Sequence, residues 1–93
     1  MPIAIYSPSD NEEPNQNIAL LSDGEWELPA QIEELEKWLT ENHAKIPTGD
    51  YIANLGYSPR EGASGGGAIL NIDTMKIMVN LGMNLYLSEY SDA

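Results

Sequence analysis

The sequence predicts an α+β domain, a small antiparallel sheet of four to five strands with two helices on one face. Three observations carry this prediction. Short runs rich in β-branched, aromatic and apolar residues recur at 3–6, 17–22, 50–57 and 83–90, with turn residues such as Ser7-Pro8 and Asp23-Gly24 beside them. Two other stretches repeat their apolar residues at spacings of three and four, the mark of a helix with one buried face. Finally, 93 residues form one domain, 1–93, near the size at which a single core suffices without covalent staples.

In chain order, Ile3-Ala4-Ile5-Tyr6 is a short strand, placed at a sheet edge because of its length, and Ser7-Pro8 ends it. Residues 9–16 are polar, acidic and interrupted by Pro14, so they form a loop. The run Ile18-Ala19-Leu20-Leu21 is a second strand, and the two pair as a hairpin with a long connection. Glu25-Trp26-Glu27-Leu28 alternates charged and apolar side chains before Pro29, which suits a first helical turn because its missing N–H has no helical partner there. Ile32, Leu35 and Leu39 line the inner face of the helix that follows, with Glu33, Glu34, Glu36, Lys37 and Glu41 elsewhere and His43 and Lys45 near its end. The acids of its first half favour the helix dipole, and Pro47 and Gly49 end the element.

Residues 50–57 read as a strand in the middle of the sheet, with 68–70 as its short hairpin partner across the glycine-rich loop. Asn71 or Asp73 caps a second helix carrying Met75, Met78, Val79 and Leu81, and Gly82 serves as its left-handed terminator. The spacing of Met75, Met78 and Met83 assigns them to the core. In the last strand Met83, Leu85 and Leu87 share one face and Tyr86, Ser88 and Tyr90 the other. Without the first strand this order matches a ferredoxin-like arrangement, to which residues 3–6 add an N-terminal edge strand.

Charge dominates the functional reading. Fifteen acids against four bases give a net charge of -11, and nine acids precede the first base, Lys37. Such a field repels phosphate backbones and lipid headgroups, so neither direct nucleic-acid binding nor membrane binding is expected; it attracts basic proteins, including those whose usual ligand is nucleic acid. The chain has no cysteine, which excludes disulfides and thiolate metal sites and permits a reducing compartment. The N-terminal residues lack the charged and apolar regions of a secretory leader, and the cytoplasm is the expected location.

Motifs for chemistry are weak. Gly62-Ala63-Ser64-Gly65-Gly66-Gly67 could present backbone N–H groups to an anion, but it lacks the Gly-Lys-Ser/Thr of a phosphate loop, and Ala68-Ile69-Leu70 separates it from the next helix. A flexible connection, or a reaching contact through Arg60, accounts for it better. His43 has no second histidine or cysteine with which to form a metal site. Carboxylate pairs such as Glu12 with Glu13 or Glu33 with Glu36 arise from abundance alone, and Ser58, Ser64 and Ser88 have no histidine at a catalytic spacing. No cofactor, no metal and no catalytic residue is expected, and the chain is read as a non-enzyme.

The run Met78-Val79-Asn80-Leu81-Gly82-Met83-Asn84-Leu85-Tyr86-Leu87, preceded by the glycine-rich loop and a short apolar segment, resembles the C-terminal part of a family of small bacterial domains of unknown function. In that family a tryptophan-bearing strand precedes the first helix, as Trp26 does here. In size and charge the chain is similar to acidic toxin-immunity proteins and to phage-encoded inhibitors of bacterial defence, whose anionic surfaces occlude a basic site. That resemblance implies an inhibitor of a basic, nucleic-acid-handling protein. The expected contacts are Asp23, Glu25, Glu27, Glu33, Glu34 and Glu36, with Trp26 as apolar anchor and Arg60 as a single cationic contact. The alternatives are a small ligand-binding or regulatory domain that uses loop 58–67, and a module that self-associates through an exposed sheet edge.

Overall fold

In the computed structural model, residues 3–8, 16–21, 24–58 and 67–90 are described. They form β1 (Ile3–Ser7), β2 (Gln16–Leu21), α1 (Leu28–Asn42), β3 (Tyr51–Tyr57), α2 (Ile72–Leu81) and β4 (Met83–Glu89), with a 3-10 turn over His43–Lys45. The α+β class, the four strands and the two helices are those the sequence predicts. The loop 9–15 and most of the glycine-rich stretch, including Arg60, fall outside the described residues.

The strands lie in the order β2-β1-β3-β4, so β1 is an interior strand, not an edge. Two fully buried isoleucines explain its place: Ile3 and Ile5 sit opposite Leu55 and Ala53 of β3 and opposite Leu21 and Ala19 of β2. A five-residue strand can occupy the centre because its length limits how much pairing it makes, not how deeply it is buried. Between Ile5 and Tyr6 the β1–β2 register shifts by one residue, an irregularity that bends the outer strand.

β3 and β4 run parallel, which makes the sheet mixed and sets it apart from a ferredoxin-like arrangement. The reason lies in residues 68–70, which form no strand. A strand there would have reversed the chain before α2. Without it the connection from β3 to β4 is one crossover through a helix, and such a crossover delivers the next strand parallel. Both helices cover one face of the sheet, where Ile32, Leu35 and Leu39 of α1 and Met78 and Leu81 of α2 join Ile3, Ile5, Ala53, Leu55 and Met83 in a single core. The opposite face has no helix among the described residues. Alternation of side chains places Tyr6, Leu20, Asn54 and Tyr86 there, with Ser88 Oγ donating to Asn54 Oδ1 at 2.8 Å.

The ends of α2 are built by local chemistry. Asn71 caps it, its Oδ1 accepting from Thr74 N at 2.8 Å. Gly82 ends it in the left-handed conformation, φ 83°, with its N–H donating to Met78 O and Val79 O. Met78 and Met83 are buried as expected, but Met75 is 43% exposed because it stands one position outside the stripe Thr74, Met78, Leu81 that faces the core.

Gly82 also joins the turn into β4 to the start of β3. Gly49 N donates to Leu81 O at 2.9 Å and Tyr51 N donates to Gly82 O at 3.0 Å. A Cβ at Gly82 would lie 2.1 Å from Gly49 O, so backbone would have to move, and the positive φ adds strain. Gly82→Ala is therefore expected to lower stability by about 2 kcal/mol or more, read as a reduced urea midpoint, while Gly24→Ala, whose added Cβ meets nothing within 4 Å, pays only for its φ of 86° and loses about 1 kcal/mol.

Candidate functional site

The acidic residues ahead of and along α1 occupy two different settings. The segment Glu25-Trp26-Glu27 is not a repeat of the sheet; it crosses the end of β3 and is fastened there. Ser58 N donates to Trp26 O at 2.9 Å, and Glu27 N donates to Glu25 Oε1 at 3.1 Å. The principal fastening is Gln31, fully buried on the inner face of α1. Its Nε2 donates to Glu25 O and to Gly56 O, each at 2.7 Å, so one amide ties the entry segment and the end of β3 to the helix. Its Oε1 is buried without a hydrogen-bond partner, and because Nε2 already serves two carbonyls, rotating the amide end for end gains nothing.

Trp26 stands at this end of the sheet, 42% exposed, its ring edge-to-face with Tyr90 at a centroid distance of 6.0 Å and an interplanar angle of 86°. Tyr90 is held in turn by its N–H, which donates to Tyr57 O at 2.8 Å. The aromatic pair is thus half packed and half open, a rigid apolar projection beside the acids.

On α1, Glu33 and Glu34 are exposed, and with Glu25, Ala30 and Lys37 they line an open groove of about 510 Å³. Lys37 follows Glu33 by one helical turn, a spacing that favours a surface pair worth a few tenths of a kcal/mol. The groove holds three carboxylates against one ammonium and is net anionic. The acids begin in the second helical turn, since no acid lies in the first, and Glu27 at the N-cap position makes no side-chain cap. The dipole contribution expected for them is therefore small, as it fades beyond the first turn.

Glu36 differs from the other acids. Its Oε2 accepts from Asn71 N and from Thr74 Oγ1, each at 3.1 Å, so the carboxylate bridges α1 to the beginning of α2. Spacing alone sets Glu36 beside Glu33, but in the fold they point to different neighbours. Asp23 and Arg60 lie outside the described residues. Of the eight expected contact residues, Glu25, Glu33 and Glu34 line one groove, Trp26 and Glu27 follow Glu25 on the entry segment, and Glu36 lies between the helices.

His43 closes α1, its Nδ1 2.7 Å from Leu39 O, a helix-end role. Among the described residues no group of three or more histidine, cysteine or acidic side chains is placed to hold a metal ion, and no helix is long and apolar enough to cross a membrane. No protein-family model matches the chain, and no match was found among curated proteins or solved structures.

Gln31 escaped sequence reasoning. The signal was present: it is a polar residue on the stripe Leu28, Ile32, Leu35, Leu39, three positions after Leu28. Gln31→Leu keeps the volume, removes the unpartnered Oε1 and strands two carbonyls, for an expected net loss of about 1–3 kcal/mol. Faster hydrogen exchange at Ser58 N–H and altered Trp26 fluorescence are expected with it, because the entry segment loses its tie to β3.

Proposed function

We propose that the chain is a non-enzymatic protein of the cytoplasm that binds and inhibits a basic, nucleic-acid-handling protein, as immunity proteins and inhibitors of bacterial defence do. The observation that carries this reading is a net anionic groove lined by Glu25, Glu33 and Glu34, next in the chain to a half-open aromatic on the fastened entry segment. Glu25, Glu33 and Glu34 border the anionic groove, and Trp26 stands beside Glu25 with its ring braced by Tyr90. Anchors at the centre of protein interfaces are enriched in tryptophan and tyrosine, and rigid ones lose little entropy on binding.

In this reading the acids occupy positions on the partner that otherwise face phosphates. The net charge of -11 accelerates encounter, and Trp26 fills an apolar hollow in the partner once the acids have docked. Glu36 contributes by holding α1, which carries Glu33 and Glu34, against α2.

The expected partner is retained from host lysate by the tagged chain at low salt, released as salt rises, and displaced by duplex DNA or RNA. Replacing Glu25, Glu33 and Glu34 together by glutamine is expected to weaken binding at least tenfold with an unchanged circular dichroism spectrum, since each exposed pair lost contributes roughly 0.5–1 kcal/mol. Trp26→Ala is expected to raise the dissociation rate more than it lowers the association rate. A partner whose binding is insensitive to salt and to nucleic acid would contradict the proposal, as would retention unaffected by the glutamine substitutions.

A further inference from the structure

Among the described residues, β4 is an edge strand without protection. The other edge, β2, is bent by the register shift opposite Ile5 and Tyr6, one of the devices that blunt sheet edges. β4 pairs with β3 in unbroken register from Met83 to Glu89 and contains no proline, lysine or bulge. Its hydrogen-bonding direction follows from the two ends of the ladder. Tyr51 N donates to Gly82 O and Tyr90 N donates to Tyr57 O, so the even-numbered residues of β4 turn their backbone groups toward β3. The N–H and C=O groups of Met83, Leu85, Leu87 and Glu89 therefore point outward.

Apolar side chains border this free edge. Leu87 is 53% exposed on the helix-bearing face, and above it α2 shows a second apolar stripe of Ile72, Met75 and Val79, apart from the one that enters the core. The stripe repeats at three and four residues, as the buried one does. α2 lies between this edge and α1, so Glu33 and Glu34 are remote from it.

We propose that β4 pairs with β4 of a second copy, antiparallel about a two-fold axis through Tyr86, joining two sheets into one of eight strands. The strand is complementary to itself in this register. Leu85 falls opposite Leu87 of the other copy, Met83 opposite Glu89, and Tyr86 opposite its own equivalent; all four outward residues of each strand then meet as hydrogen-bonded pairs, and the two Glu89 carboxylates stand at opposite ends. A shift of two residues in either direction loses pairs or moves a Glu89 toward the other. Strands about 5 Å apart bring the two α2 helices to about 10 Å, the spacing at which their apolar stripes pack. The side chains involved bury on the order of 1,000 Å² in total, at the lower limit of a specific interface, so a micromolar dimer is expected.

Sedimentation velocity of the full chain over a concentration series, at low and high salt, tests this. A reversible dimer that strengthens with salt is expected, because two chains of charge -11 repel and salt screens the repulsion. Leu87→Lys is expected to weaken it at least tenfold with an unchanged circular dichroism spectrum, and Leu20→Lys on the β2 edge to leave it intact. The chain has no cysteine, so Tyr86→Cys should give a covalent dimer on mild oxidation, the paired positions lying within disulfide reach on the axis. A monomer at all concentrations, a dimer broken by Leu20→Lys but not by Leu87→Lys, or a Tyr86→Cys chain that dimerises but does not cross-link would each overturn the proposal.

Discussion

A single buried amide joins the parts of this fold that matter for its surface. Gln31 reaches from α1 to Glu25 O and Gly56 O, and through them it sets the angle at which the chain enters the helix and the place where β3 ends. Without that tie, the segment bearing Glu25, Trp26 and Glu27 would be held to β3 only by the Ser58 N–H bond to Trp26 O and the contact of Trp26 with Tyr90. The bond to Gly56 O is buried and that to Glu25 O partly so; hydrogen bonds away from water are worth more than their surface equivalents, and leaving a carbonyl alone there is costly. The orphaned Oε1 is the cost of placing a side chain with both donors and an acceptor where only acceptors surround it.

Glu36 acts similarly at the other side of α1. By accepting from Asn71 N and Thr74 Oγ1 it couples α1 to the capped start of α2, so that sliding one helix along the other would break both bonds. The outer side of α1 is then left to Glu33, Glu34 and Lys37, all exposed. The molecule thus divides its periphery by chemistry: carboxylates along the outer side of α1, an apolar stripe and an open strand edge on the α2 side, and Trp26 against Tyr90 at the end of β4. A field of one sign and an apolar edge suit different partners.

The elements themselves were legible in the sequence because each is written in local chemistry. Pro29, Asn71 and Gly82 mark helix ends by backbone geometry, and the stripes at 32, 35, 39 and 78, 81 mark the buried faces. Strand order was less legible, since nothing local distinguishes an interior strand from an edge: Ile3 and Ile5 carry the same β-branched signal in either place. The parallel pairing of β3 and β4 turned on whether 68–70 would extend beside β3, a choice made by tertiary packing and not by propensity. For the site, charge pointed to the first half of the chain, but the separate duties of Glu33 and Glu36 depend on which face of α1 meets α2. Gln31 was hidden for a related reason. One polar residue in an apolar stripe has meaning only once the carbonyls it serves are known.

In the proposed reading, Glu25, Glu33 and Glu34 together with Trp26 form one pre-set cation-binding surface. The most direct measurement is an amide NMR titration of the isotopically labelled chain with a short arginine-rich peptide carrying one aromatic residue, repeated at high salt. Shifts are expected to concentrate in residues 25–37 and at the Trp26 indole and to be abolished by salt, with the backbone of the Glu25–Glu27 segment ordered before the peptide is added. Shifts spread evenly over every exposed acid, or centred on β4 and α2, would contradict it.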